Sequence, residues 1–147
     1  MSDAPDEILD DEWIMRRIPA NPDLLFYEPK SGLRSDAFKP HRTRDEDGLS
    51  VSRMRSDSHP GFLTPEIAAE SGQSKAGYYF AIVLVQALRE EGLEVVAAPT
   101  PEDPGHALIV SLRSNNRKTP EVAQWMQILA ERLTIRVEGP FIKETQV

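Results

Sequence analysis

Tyr78-Tyr-Phe-Ala-Ile-Val-Leu-Val85 is the longest uninterrupted apolar run in the chain, and its reading decides the fold. It falls far short of the ~20 residues needed to cross a bilayer, so it belongs to a protein interior. A run of this length suits a buried strand or a segment of buried helix, and periodicity alone does not separate the two. Its aromatic and β-branched residues favour a strand of a central sheet, with Gln86 to Glu91 as a helical turn closed by Gly92. Leu93 to Ala98 and Ala107 to Leu112 are short, apolar and bounded by turn residues, and they read as further strands. Three prolines between them, at 99, 101 and 104, leave little slack, so the two strands are expected to pair antiparallel. Upstream, Asp47-Gly48 marks a turn, and Leu49-Ser-Val-Ser52 alternates apolar and small polar residues with the period of a half-buried strand.

Thr64-Pro-Glu66 and Thr119-Pro-Glu121 have the same helix-start chemistry: an N-cap hydroxyl, a proline at the first helical position and an acid in the first turn. The first helix should stop near Gly72. In the second, Val122, Trp125, Met126, Leu129 and Leu133 form one apolar stripe at helical spacing. Thr134 to Val137 reads as a last short strand ended by Gly139-Pro140. Trp13 to Ile18, closed by Pro19, fits a strand or a single helical turn, and Leu24 to Tyr27 fits a short strand within a loop-rich stretch from Asn21 to Pro40. The fold class is therefore α+β: a small, mostly antiparallel sheet from strands near 49–52, 78–85, 93–98 and 107–112, with the C-terminal amphipathic helix packed on one face. Residues 1–11, acidic and without periodicity, are expected to be a disordered tail, 12–142 a single domain, and 143–147 a loose C-terminal tail.

The chain's 147 residues suit one domain, and the absence of cysteine excludes disulfides, thiolate metal sites and a cysteine nucleophile. A net charge of −7 and a pI near 5.0 disfavour nucleic acid and anionic lipid as partners. Met1 to Glu12 carries six acids and no basic residue, unlike a secretory signal or transit peptide, so a soluble cytoplasmic protein with no membrane association is expected. His41, His59 and His106 lack the spacing of a metal motif, and no phosphate loop, dinucleotide fingerprint or nucleophile elbow is present. No metal and no cofactor is called for.

Three groupings carry the chemistry that remains. His106 stands where a loop becomes a strand; alternation puts it on a face with Leu108, Val110 and Leu112, as a hydrogen-bonded core residue or as a functional one. Arg34, Lys39, His41, Arg42, Arg44, Arg53 and Arg55 form a basic cluster that could grip an anionic small molecule or an acidic protein partner, although adjacent acids also allow a solvated surface. Ser50 and Ser52 point to one side of their strand, with Arg53 following, as exposed residues of an edge strand or as ligand contacts. The ligand-binding candidates are thus Arg17, Arg42, Arg44, Ser50, Arg53 and His106.

An arginine (Arg16 or Arg17) beside a Ser50-Val-Ser52 strand resembles the nucleotide-gripping part of ADP-ribosyltransferases, which implies a late glutamate, for which Glu138 is the candidate here. Asp47-Gly-Leu-Ser-Val51 and Pro104-Gly-His-Ala-Leu-Ile-Val110 also resemble segments of small uncharacterised bacterial proteins, a likeness that brings no activity. Two functions follow as expectations: a binding or accessory module recognising an anionic ligand or protein partner through the arginine-rich loops, or an enzyme acting on a nucleotide or other phosphorylated ligand. An enzyme should gather its polar residues in a concave pocket.

Overall fold

The computed structural model describes residues 7–21, 26–72 and 75–142. In chain order the strands are β1 (Trp13–Pro19), β2 (Tyr27–Glu28), β3 (Gly32–Leu33), β4 (Leu49–Arg53), β5 (Tyr78–Leu84), β6 (Val95–Ala97), β7 (His106–Ile109) and β8 (Thr134–Phe141). The α-helices are α1 (Pro65–Glu70), α2 (Val85–Glu90) and α3 (Pro120–Ile128). Six strands form one sheet in the order β6-β7-β4-β1-β5-β8, all neighbours antiparallel, and β2 and β3 make a separate hairpin. The class is α+β. Among the described residues no helix is long and apolar enough to cross a membrane.

The apolar run is extended. β5 lies between β1 and β8, and Tyr78, Phe80, Ala81, Ile82 and Val83 are buried from both sides of the sheet. β6 and β7 pair antiparallel across the proline-rich loop, as their spacing implies. Trp13–Pro19 resolves as a strand, and it is central: it pairs with β5 along its whole length. β4 is interior, flanked by β7 and β1, which removes the edge-strand explanation of Ser50 and Ser52. β8 runs past Gly139-Pro140 to Phe141 because it is a sheet edge, where a proline has no outward ladder bond to lose.

One face of the sheet carries the larger core. Ile14, Ile18, Leu49, Val51, Ala81, Val83, Val95, Ala107 and Ile109 meet Val122, Met126, Leu129 and Leu133, the stripe of α3 and of the π-helical turn Leu129–Leu133 that extends it. Thr119 Oγ1 accepts from the Val122 N–H at 3.3 Å and fixes the helix start. The opposite face is only partly covered: α1 sets Ala68 and Ala69 against Met15, Tyr78, Phe80 and Ile82. No helix of this cluster reaches β4 and β7, where Ser50, Ser52, His106 and Leu108 stand half-buried.

Packing begins before Glu12. Ile8 is buried in the main core and Asp10 pairs with Arg89 at 2.6 Å, because the acidic segment contains an apolar residue and α2 offers a cation. Residues 1–6 of the expected tail, 24 and 25 of the expected short strand, and 143–147 lie outside the described residues.

Truncating the fully buried Leu129 tests the seating of α3. Leu129→Ala should cost about 2–5 kcal/mol in urea unfolding. A loss below about 1 kcal/mol would mean that the helix is not packed on this face.

Candidate functional site

The site begins with a fault in the sheet. β1 and β4 pair only at Ile14–Arg53 and Met15–Ser52, although β1 continues to Pro19 and β4 begins at Leu49. In an antiparallel ladder successive residues bond to opposite neighbours. The Met54 N–H donates to the Trp13 carbonyl at 3.0 Å while the Arg53 N–H donates to the Gly105 carbonyl at 2.8 Å. By that alternation the N–H and C=O of Ser50 face β1, where a continued register would set them opposite Arg17. Instead, the Ser50 N–H donates to Asp45 Oδ1 at 3.3 Å, and the Ser50 carbonyl accepts from Arg16 Nη1 at 2.8 Å. Two side chains therefore replace the missing ladder, and the strands splay.

Both substitutes are anchored. Arg16 Nε donates to the Ala37 carbonyl at 3.1 Å, in the 3-10 turn Ser35–Phe38. Asp45, only 3% exposed, also accepts from the His41 N–H through Oδ2. Burial lowers the Arg16 pKa from its ordinary value; Asp45 opposes this, and the neighbouring cations Arg17 and Arg44 add to it. His41 Nδ1 accepts from the N–H groups of Thr43 and Arg44, each at 3.2 Å, so the basic loop is a tied turn rather than a free coil.

Around the splay lies a cavity of about 870 Å³, within the size range of small-molecule pockets. Ser50 and Ser52 form its floor. Ser52 Oγ donates to Asp103 Oδ2 at 2.6 Å, and Asp103 Oδ1 accepts from the Gly105 N–H at 3.0 Å. His106 joins Ser50: its Nε2 lies 3.2 Å from Ser50 Oγ and its Nδ1 lies 2.8 Å from the Ala98 carbonyl. A carbonyl oxygen can only accept, so Nδ1 carries the proton of the neutral ring, and Nε2 accepts from the Ser50 hydroxyl. Met15, Leu63, Ala68, Tyr78 and Phe80 give an apolar wall, and Arg17 stacks on Tyr78 at 4.7 Å.

The lining holds six Lys or Arg residues, Arg16, Arg17, Lys39, Arg42, Arg44 and Arg117, against four acids, Asp36, Asp45, Glu102 and Asp103. Among the described residues none of the six forms an ion pair within 4.0 Å. An acidic protein thus gathers at one concave site six cations that make no ion pair within 4.0 Å among the described residues.

Five of the six sequence candidates, Arg17, Arg42, Arg44, Ser50 and His106, line this cavity. His106 corrects the alternation argument: β7 ends at Ile109, so Leu112 is outside its pattern, and the buried face belongs to Ala107 and Ile109 while His106 and Leu108 face the cavity side. Arg53 is elsewhere. It shares the core-side parity of Leu49 and Val51, is 1% exposed, holds Glu12 through two hydrogen bonds of 2.7 Å and covers the Phe62 ring. Glu138, the glutamate that the ADP-ribosyltransferase likeness implies, lies on β8 and pairs with Arg136 at 2.7 Å; β1 and β5 separate it from β4, and it does not line the cavity. Among the described residues no group of three or more His, Asp or Glu is arranged to hold a metal ion.

Sequence reasoning placed Lys39 in the basic cluster, and it lines the cavity, but it missed Arg16 as a main-chain prop, Asp45 as the loop's anchor, and Asp103 and Arg117 as lining. Only Asp103 carried a usable signal, since an acid two residues before a glycine commonly caps its own turn.

Arg53 and Glu12 give a test with a sign. Burial raises the Glu12 pKa, but the Arg53 hydrogen bond, the Leu9 N–H and the charges of Arg53 and His59 outweigh it, leaving the value below 4.5. A depressed carboxylate stabilises fully above its unfolded pKa, and that contribution disappears as pH falls through the folded value. Glu12→Gln should therefore lose about 3–5 kcal/mol near neutral pH, by stranding a buried guanidinium. It should also flatten the acid limb of the stability profile below pH 4.5. An unchanged acid limb would remove Glu12 from the account.

No protein-family model matches this chain, and neither a curated protein nor a solved structure is significantly similar to it.

Proposed function

We propose that the protein is a binding module for a small anionic, phosphate-bearing ligand, held in the splay between β1 and β4. The observation that carries this reading is a set of cations, Arg17, Lys39, Arg42, Arg44 and Arg117, that make no ion pair among the described residues and surround one concave cavity in a chain of net charge −7. Guanidinium groups offer paired donors that match phosphate geometry, and the tied turn at residues 41–44 reduces the ordering cost of presenting Arg42 and Arg44. The apolar wall gives a non-polar part of the ligand a place beside the charged rim. A concave, polar-floored cavity suits a small molecule better than a protein partner, which would need a broader surface.

The competing enzymatic reading, action on a nucleotide or other phosphorylated ligand, draws support from the Ser50–His106 hydrogen bond and none from Glu138, which lies outside the cavity.

Inorganic pyrophosphate serves as the probe. It should raise the melting temperature by several degrees at saturating concentration, since a ligand that prefers the native state stabilises it. Added sodium chloride should shrink the effect through screening. Arg42→Ala with Arg44→Ala should abolish it without lowering the melting temperature of the free protein. A shift that survives both treatments, or no shift, contradicts the reading.

A further inference from the structure

We propose that Ser50 is a nucleophile activated by His106, and that the cavity is an esterase site for a small carboxylic ester bearing a negative charge; the charge of the substrate rests on the anion-binding reading above.

The arrangement has the parts that activate a hydroxyl. The nucleophile candidate, Ser50 Oγ, lies 3.2 Å from His106 Nε2, within hydrogen-bond reach of the base. The base is oriented by a third group: the Ala98 carbonyl accepts from Nδ1 at 2.8 Å, which leaves the Nε2 lone pair on the Ser50 side. This is the logic of a catalytic triad with a main-chain carbonyl in the orienting place. Ser50 is also unusual for a strand residue. Its main chain is held by Asp45 and Arg16 instead of β1, and its side chain lines the cavity. By the same alternation the N–H of Arg17 is turned toward the gap beside Ser50, and it is the donor this proposal assigns to the developing oxyanion. The Arg17 guanidinium lines the cavity and can receive the charged end of the ester.

In the reaction, the Ser50 O–H bond breaks, its proton passes to His106 Nε2, and Oγ forms a bond to the ester carbonyl carbon. Collapse of the tetrahedral intermediate breaks the bond to the alcohol, which leaves with the proton from His106. Water, deprotonated by the same nitrogen, then attacks the acyl-serine and releases the acid. One ester and one water give one acid and one alcohol, with Ser50 and His106 restored.

The experiment uses the full chain and a fluorophosphonate probe, on which Oγ forms a bond to phosphorus as fluoride leaves and His106 takes the proton. One adduct per chain is expected, mapped to Ser50 by mass spectrometry. Ser50→Ala should abolish it, His106→Ala should slow it at least about a hundredfold, and Ser58→Ala should leave it unchanged. Ser50→Ala removes a single oxygen, and its melting temperature in the presence of pyrophosphate reports folding and anion binding independently of chemistry. No adduct at Ser50, or labelling that persists in Ser50→Ala, overturns the proposal even where pyrophosphate still stabilises the chain. Labelling of Ser50 without pyrophosphate stabilisation keeps the nucleophile and removes the anion reading.

Discussion

The site of this protein depends on how the main chain of Ser50 is satisfied. A peptide N–H and C=O left unpaired in an interior strand cost about as much as lost hydrogen bonds, so a sheet normally zips its strands together. Here the β1–β4 ladder stops after two paired positions, and Asp45 and Arg16 take the bonds that β1 would have supplied. The splay can persist because its polar groups are paired. Without those two side chains the strands would gain hydrogen bonds by closing, and the cavity would close with them.

The rest of the architecture supports this opening from both sides. α3 and its π-helical extension cover the larger core face, so the sheet is stable without needing its second face fully buried. α1 covers the second face only over β1 and β5, and its residue Ala68 and its C-cap Ser71 become one wall of the cavity. The proline-rich loop from Pro99 to Gly105 supplies Asp103 and delivers His106 beside Ser50. Gly105 suits that path because a Cβ there would meet the Arg53 carbonyl oxygen at 2.9 Å. Charge follows the same plan. Arg16 directs its hydrogen bonds to carbonyl oxygens, and among the described residues Arg42 and Arg44 pair with no carboxylate, so positive charge is concentrated at the cavity.

Much of the fold was legible because its signals are local. The aromatic and β-branched run at 78–85, the tight connection between the strands near 95 and 107, and the stripe from Val122 to Leu133 each state their structure within a few residues. The alternation in Leu49-Ser-Val-Ser52 correctly put both serines on one face. What sequence could not supply was sheet order, which depends on pairing between segments far apart in the chain. That gap made β4 readable as an edge, left Trp13–Pro19 undecided, and placed Arg53 in a basic cluster when its partner is Glu12, 41 residues away. Alternation groups His106 with Leu112 only if the strand continues that far; β7 ends at Ile109, and the buried face is that of Ala107 and Ile109.

Ser50 bonds to side chains and not to β1, and scalar couplings across hydrogen bonds measure this directly. In the isotope-labelled protein the Ser50 amide nitrogen should couple to the carboxyl carbon of Asp45 and show no coupling to the Arg17 carbonyl carbon. A coupling between Ser50 and Arg17 would mean a continuous ladder, a closed gap and no site.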